Sequence, residues 1–342
     1  MKNTVLILVL AAAFLIPGGD ALAAAKKPAK KAQKKKQPAR KKKSWEDWKA
    51  EWGKLSADKK AAIAKAAPRK ATVKPKQARR VLVFYRCGGF VHSSIGSGNH
   101  SLATIAKKTK AFTADFSDVY ADFNRDNLRN YDAIIFNNTT HLVLENDSQR
   151  DAIIEFMKQG KGVAGIHAAG DNFYKWKLGA AMIGGQFNGH PWNGGGNWAF
   201  KLDDPMHVLN KAFMGKGFWH TDEIYQYKPE TFEGEEKLRI LVSLDMSKEA
   251  VSKIMDNPRF DKYKQQYGAG PRQVPVSWLR EFEGGRVFFT NLGHRDDTYT
   301  KPNVMRHILD GIQYALGDLS ADATPTAKSA KVKPALAPKE SK

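Results

Sequence analysis

Three nearly continuous apolar runs constrain the fold of this chain more than any other feature. They lie at residues 79–85 (RRVLVFY), 131–138 (YDAIIFNN) and 160–167 (GKGVAGIH), and helix-like segments separate them. One of these segments, residues 147–158, has apolar side chains at helical spacing and is followed by a glycine typical of a helix C-cap. Strands that are apolar throughout are buried on both faces. The sequence therefore predicts an α/β domain with a mainly parallel sheet covered by helices on both sides.

The pattern changes near the end of the predicted domain. Residues 274–282 (VPVSWLREF) and 286–294 (RVFFTNLGH) flank a Glu-Gly-Gly turn, which predicts a late β-hairpin. A closing helix is predicted for residues 302–316, with its proline in the first turn. We place the domain at residues 80–319.

Positive charge is concentrated outside this domain. Residues 26–80 carry 22 Lys or Arg and 4 Asp or Glu, whereas residues 81–319 carry 28 of each kind. The basic composition thus describes the flanks, and it does not indicate a specific nucleic-acid site in the domain. We expect residues 24–79 to be a Lys-rich disordered arm, and residues 320–342 to be a second disordered tail.

The arm also contains a segment that looks helical. Trp45, Trp48 and Trp52 recur at i, i+3 and i+7, which predicts a short helix with an aromatic stripe. The stripe packs on the domain or on a partner, or it anchors the chain to a surface. The lysines of residues 26–43 act as a solvated tether, or they bind polyanions or the cell envelope weakly and without sequence preference.

The first 23 residues resemble a secretory signal. Lys2 precedes an apolar stretch too short to cross a bilayer comfortably, and Ala21-Leu22-Ala23 fits the cleavage rule. We expect export to the periplasm or the medium with cleavage after Ala23, although Lys26 and Lys27 argue against it. The sole cysteine, Cys87, excludes an intramolecular disulfide and is interpreted as a packed strand-end residue.

Histidines follow several of the predicted strands. Ligands of open α/β sheets bind at the carboxyl ends of the parallel strands, and loops at those ends contain His92, His141, His167 and His294. Several imidazoles at one edge indicate a site rather than isolated packed residues. Asp171 lies four residues after His167, a spacing that would place its carboxylate beside the ring and orient it. The alternative is an Asp helix cap with a packed histidine.

Two later segments add polar candidates. Residues 184–198 (GGQFNGHPWNGGGNW) combine Asn with Trp, a chemistry that suits sugar hydroxyls and ring faces, although they also suit an irregular connection. Residues 219–225 (WHTDEIY) place Asp222 beside Glu223. Together with His190, these carboxylates are compatible with a zinc or iron site, but general acid–base work by Glu223 fits as well. We assign no cofactor from this pattern, and the first loop lacks a dinucleotide fingerprint.

The ordered set VLVFYRCGGFVHSS, GKGVAGIHAAGDNFYKW, GHP, DEIY and PVSWLREFEGGRVFFTNLGH resembles the trehalose-utilisation (ThuA-like) family over about residues 80–318. The resemblance implies a flavodoxin-like, three-layer fold similar to that of class I glutamine amidotransferases. Those enzymes carry a catalytic cysteine at the turn where this chain has His167, so the resemblance argues against glutamine hydrolysis. The Gly-rich segment after GHP departs from the family pattern.

The resemblance further implies work on sugars, especially 3-keto-glycosides. We expect an exported carbohydrate-processing enzyme that acts on keto-glycosides or related sugars by acid–base chemistry. The alternative is a noncatalytic sugar-binding or envelope assembly module. The candidate catalytic residues are His92, His167, Asp171, Glu223 and His294. The candidate substrate-binding residues are Ser93, His190, Trp192, Asp222 and Tyr225.

Overall fold

The computed structural model describes residues 43–144, 146–261 and 273–340. The predicted signal peptide and nearly all of the Lys-rich tract, up to residue 42, lie outside the described residues. In the described part of the chain, no helix combines the length and the apolar character needed to cross a membrane.

The described residues form a nine-stranded mixed sheet with the strand order β2-β1-β3-β4-β9-β8-β7-β5-β6. The strands are β1 Arg80–Phe84, β2 Thr113–Ser117, β3 Ala133–Asn137, β4 Gly162–Ile166, β5 Asn197–Leu202, β6 Phe218–Thr221, β7 Arg239–Leu244, β8 Pro275–Phe282 and β9 Gly285–Thr290. The three apolar runs of the sequence are β1, β3 and β4, which lie side by side near the middle of the parallel region.

The sheet divides into a parallel half and an antiparallel half. β2, β1, β3, β4 and β9 pair in parallel, and β9, β8, β7, β5 and β6 pair antiparallel. The prediction of a mainly parallel sheet therefore holds only for the first half, because an apolar run, such as that of the fully buried β7, does not by itself fix whether a strand pairs in parallel. The predicted hairpin is confirmed as β8 and β9, and its turn residues Glu283 and Gly284 both have positive φ, as a tight hairpin turn requires.

Helices cover both faces of the sheet. They are α1 Trp45–Trp52, α2 Ala57–Ala66, α3 Ile95–Thr109, α4 Arg125–Leu128, α5 Asp147–Lys158, α6 Lys177–Ile183, α7 Gly234–Lys237, α8 Glu249–Ser252 and α9 Pro302–Ala315. The alternation of side chains along β1 shows the two layers: Val81 and Val83 join a core with α3 and α9, whereas Leu82 and Phe84 join a core with α5 and α6. The mainly apolar strands are thus buried on both sides.

The segment before the domain is packed on it rather than extended in solvent. The side chain of Ser44 caps α1 in a capping box with Asp47, and Trp52 is buried beside Ile95. Farther along, the backbone N–H of Thr72 donates to the side chain of Gln313 in α9 at 2.8 Å. For residues 43–79, the expectation of a disordered arm is not met, because the Trp stripe and Ile63 have an existing surface to pack against.

The tail is also ordered as far as residue 340. Leu202 and Ala335 exchange two backbone hydrogen bonds of 2.9 and 3.0 Å, and the Trp219 indole donates to the carbonyl of Pro338 at 3.0 Å. The sequence predicts disorder here because Ala, Pro and Lys cannot build a core of their own. The tail instead gains order by lying along β5 and β6, where backbone groups and small side chains suffice.

Candidate functional site

The turn after β4 holds an imidazole in a fixed orientation. His167 is buried, begins a short 3₁₀ helix and has a φ of 47°, which is uncommon for a residue other than glycine. Its Nδ1 lies 2.7 Å from the carbonyl oxygen of Asn291, the first residue after β9. Only an N–H can pair with a carbonyl, so Nδ1 donates and Nε2 keeps a lone pair. The Asn291 side-chain amide is farther from Nδ1, at 3.4 Å, and does not change this tautomer.

Two more imidazoles meet His167 at the same edge of the sheet. His92 lies in the loop after β1 and His294 in the loop after β9, and the three ring centres are 5.0, 5.1 and 5.2 Å apart. Nitrogens of the three rings lie within 4.8 Å of one another. We call these three residues the histidine trio. The prediction that they gather at one edge agrees with this geometry.

Burial keeps the trio uncharged. Desolvation, followed by the neighbouring His294 and His190, lowers the pKa of His92 to about 3. Burial is also the largest cause that lowers the pKa of His167 well below its ordinary value, and that of His294 less strongly. At neutral pH each ring therefore has one nitrogen with a lone pair.

A carboxyl group stands beside the trio. Glu223 is buried, and its two oxygens lie 3.2 Å from Nδ1 of His294 and 3.4 Å from Nδ1 of the half-exposed His190. Burial, followed by the charge of Asp222, raises the pKa of Glu223 to about 8. The structure thus places Glu223, His190 and His294, which the sequence predicted as site residues, next to one another.

Asp222 positions a loop instead of facing the solvent. Its carboxylate accepts hydrogen bonds from the backbone N–H of Gly293 at 2.8 Å and from the hydroxyl of Thr298 at 2.9 Å. It also accepts from the backbone N–H of Arg295 at 3.2 Å. Because Asp222 is fully buried, its expected contact with substrate is not supported, and its contacts fix the loop that carries His294.

A groove of about 830 Å³ opens beside His294. Ser93, which is exposed, lies on its wall, and its contact with substrate stays a prediction. The Gly-rich segment forms another wall, and a Cβ added to Gly194 would lie 2.8 Å from a ring carbon of His294. Close approach to the imidazole therefore explains the glycine at position 194. The far wall comes from α2, where Lys59 forms an ion pair with Asp296 at 2.7 Å.

Asp171 does not orient His167. Its carboxylate instead accepts a hydrogen bond from the Tyr174 hydroxyl and lies 3.5 Å from Nε2 of His141. These groups border a separate cavity of about 230 Å³ lined by His141, Tyr174 and Trp176, among others. The four-residue spacing assumed an α-helix, whereas the 3₁₀ turn and the left-handed His167 direct the two side chains to different partners.

The two predicted aromatic contacts to substrate also have other roles. Trp192 is fully buried, and its indole N–H donates to the carbonyl of Val251 at 3.0 Å. It is a core residue, so its assignment to substrate binding is wrong. Tyr225 is buried as well and packs its ring 4.6 Å from that of His167, behind the trio.

Other residues of the site carried no signal in the sequence. Asn291 sets the tautomer of His167, and Thr298 helps to hold Asp222, but neither belongs to a pattern of recognised chemistry. Cys87 is a packed residue, as interpreted: its thiol donates to the carbonyl of Asn138 at 3.3 Å, and burial raises its pKa to about 11.

Comparison with known proteins gives a family and a fold. The family model described as "ThuA: Trehalose utilisation" matches residues 80–315. A ThuA-like protein from Bacteroides uniformis ATCC 8492 is 18% identical with a TM-score of 0.53, and the match covers 71% of this chain and 94% of that one. A second ThuA-like protein, from Parabacteroides merdae ATCC 43184, is 15% identical with a TM-score of 0.51 and covers 75% and 98%. No curated protein matches the chain in sequence.

Proposed function

From the premise that this chain belongs to the ThuA (trehalose utilisation) family, we propose that its domain is an enzyme that processes glycosides or keto-glycosides. Family membership implies a carbohydrate-related role and a carbohydrate-related ligand. The proposal adds that the domain turns the sugar over, and that the histidine trio and Glu223 perform the chemistry.

One observation carries this proposal: a buried carboxyl lies between two imidazoles at the edge of an open groove. Glu223 contacts His190 on one side and His294 on the other, and His294 lines the groove. A carbohydrate unit in that groove would bring its ring carbons and hydroxyls to this carboxyl. Buried acids within reach of a reacting group are the usual general acids and bases of sugar chemistry.

The reaction class follows from the chemistry of a keto-sugar. A carbon next to a keto group has an acidified C–H, so Glu223 can remove that proton while a neighbouring imidazole donates to the oxygen that gains charge. Loss of a glycosidic oxygen from the adjacent carbon then gives elimination, and return of the proton to another carbon gives isomerisation. Because His167 stands at the turn and Cys87 is packed against Asn138, we do not propose glutamine hydrolysis.

The finer assignments of fold and location belong to the same proposal. We assign the domain at residues 80–319 to the flavodoxin-like group that includes class I glutamine amidotransferases. We also propose that the chain is exported and cleaved after Ala23. Mass spectrometry of the N-terminus of protein recovered from the periplasm or medium tests this directly, and an intact Met1 there would contradict cleavage.

Turnover can be tested with the full chain and a panel of disaccharides. Trehalose and related sugars are supplied in unoxidised and 3-keto forms, and products are followed by NMR and mass spectrometry. We expect a keto-sugar to be consumed, and Glu223→Gln to lower kcat by about 100-fold or more. Glu236→Gln is the matched control, because Glu236 is exposed on the short helix α7 and lies outside the site.

Two results would overturn the proposal. Equal turnover by the wild-type chain and Glu223→Gln would remove this carboxyl from the chemistry. Saccharide binding without turnover of any sugar would instead favour the noncatalytic binding module.

A further inference from the structure

We propose that His92, His167 and His294 bind one divalent transition-metal ion of the Zn²⁺ class, with a fourth position open toward the groove. The inference does not rest on the proposed sugar chemistry, because metal binding can be measured without substrate. It rests on the convergence of the three rings, on a buried ring nitrogen without a partner among the described residues, and on the hydrogen bonds that support the rings.

The first argument is geometric. Each ring offers a nitrogen, and these nitrogens lie within 4.8 Å of one another although their residues come from three separate loops. Nε2 of His167 and Nδ1 of His294 are 3.3 Å apart. Two nitrogens that share a tetrahedral zinc ion at the usual bond length are also about 3.3 Å apart. One pair of the trio therefore already has the separation that coordination requires.

The second argument concerns His92. This side chain is buried, and its Nδ1 has no hydrogen-bond partner among the described residues. A buried polar atom without a partner costs about 1–3 kcal/mol, so such atoms are rare unless a ligand or water satisfies them. The His92 ring centre lies 5.0 and 5.1 Å from those of His167 and His294, so a metal ion held by the trio is a natural partner for a neutral nitrogen of this ring.

The third argument is the support behind the trio. Metal-binding histidines commonly donate their second ring N–H to a carbonyl or carboxylate, which fixes the ring and its tautomer. His167 has this arrangement with the carbonyl of Asn291, and its lone pair is directed toward His294. The Asp222 carboxylate holds the loop of His294 through two backbone N–H groups. These hydrogen bonds thus hold the ring of His167 and the loop of His294 in place.

The ligand set selects the class of ion. Imidazole nitrogens suit Zn²⁺, Cu²⁺, Ni²⁺ and Fe²⁺, whereas Mg²⁺ and Ca²⁺ require mostly oxygen ligands. Three histidines leave one position of a tetrahedral site for water or substrate. Glu223 lies 3.2 Å from Nδ1 of His294, where it can accept a hydrogen bond from a molecule in that position.

The test is metal binding by the full, tag-free chain. Protein is analysed for metals as purified, stripped with a chelator, and titrated with Zn²⁺ or Mg²⁺ by calorimetry, with elemental analysis after dialysis. We expect one Zn²⁺ per chain, no retained Mg²⁺, and a tetrahedral absorption spectrum with Co²⁺. His92→Ala and His294→Ala should each weaken Zn²⁺ binding by at least about 100-fold.

The control is His100→Ala, since His100 lies on α3 outside the trio. Circular dichroism is recorded for every variant. If the His92→Ala variant unfolds, the His294→Ala variant keeps the test valid, because the His294 side chain is partly exposed. The proposal is overturned if the folded wild-type chain retains no transition metal, or if both trio variants bind Zn²⁺ with the stoichiometry and affinity of His100→Ala.

Discussion

Two buried histidine environments in this domain differ in what surrounds them. The trio at the sheet edge contains a ring nitrogen without a partner among the described residues, and it lies beside a groove. His307 lies in α9, equally buried, with Nδ1 3.1 Å from the carbonyl of Leu209 and Nε2 2.8 Å from the hydroxyl of Ser277. In a neutral ring Nδ1 donates to the carbonyl of Leu209, and Nε2 accepts from the Ser277 hydroxyl, which shares its one proton between Nε2 and the carbonyl of Phe289 at 2.8 Å.

Burial and pKa do not separate the two environments. Burial lowers the pKa of His307 to about 4 and that of His92 to about 3. The difference is in the partners: both ring nitrogens of His307 have hydrogen-bond partners, whereas Nδ1 of His92 in the trio has none among the described residues. A perturbed histidine is therefore a sign of function only when its hydrogen-bonding capacity remains unused.

The largest expected effect is on stability. His307→Ala removes two hydrogen bonds and leaves a cavity between Phe213 and Phe288, whose rings lie 5.1 and 5.3 Å from the imidazole. We expect the free energy of unfolding to fall by about 3 kcal/mol in urea titrations at pH 7. The Zn²⁺ stoichiometry of the folded protein should stay unchanged. Loss of Zn²⁺ binding in this variant would show that the two histidine environments are not independent.

The same residue predicts a pH dependence. The pKa of His307 is lowered from 6.5 to about 4 on folding, so the unfolded chain takes up a proton first as the pH falls. The stability from the neutral ring is complete above pH 6.5 and declines between pH 6.5 and 4, by about 3 kcal/mol at most. The destabilisation by His307→Ala should therefore shrink over this range in metal-free protein. A pH-independent deficit would show that the ring contributes by packing alone.

A smaller effect is expected for the partner of His307. Ser277→Ala removes the hydroxyl from Nε2, which leaves one buried nitrogen without its donor. We expect a loss of about 1–2 kcal/mol, and the double variant with His307→Ala should lose less than the sum of the two single variants. Strict additivity in this double-mutant cycle would mean that the two side chains do not interact.

The smallest expected effect on stability has the opposite sign and concerns the histidine trio. His92→Leu replaces a ring whose Nδ1 has no partner among the described residues by an apolar side chain. Metal-free protein should keep its stability or gain up to about 1 kcal/mol, while Zn²⁺ binding is lost. Should this variant lose more than about 1 kcal/mol, His92 would have a structural role like that of His307.

The sequence predicted the parallel half of the fold and the residues at its strand ends. His92, His167 and His294 were found because strand order brings the carboxyl ends of β1, β4 and β9 to one edge. Glu223 and His190 were found from the grouping of histidine and carboxylate residues in residues 184–198 and 219–225, and from the DEIY and GHP motifs of the family resemblance. Asp171 was misassigned, because a spacing of four residues has a fixed meaning only in an α-helix.

The remaining differences between prediction and structure concern surfaces formed by residues distant in the chain, which a local sequence pattern does not specify. Trp192 sits in a Gly-rich segment that looks exposed, but its ring is buried through contacts with residues distant in the chain. Residues 43–79 and 320–340 have little capacity to fold alone. They are ordered by a surface that exists only once the sheet has formed.

The helix α2 contributes to the groove from outside the family domain. It lies outside the family-matched residues 80–315, yet its Lys59 and its N-cap Ser56 help to enclose the groove. Under the proposed function, exchange of that flanking helix would change the length of saccharide that fits while the imidazoles stay untouched. The length of the groove and the imidazoles at its edge are thereby encoded in separate stretches of the gene.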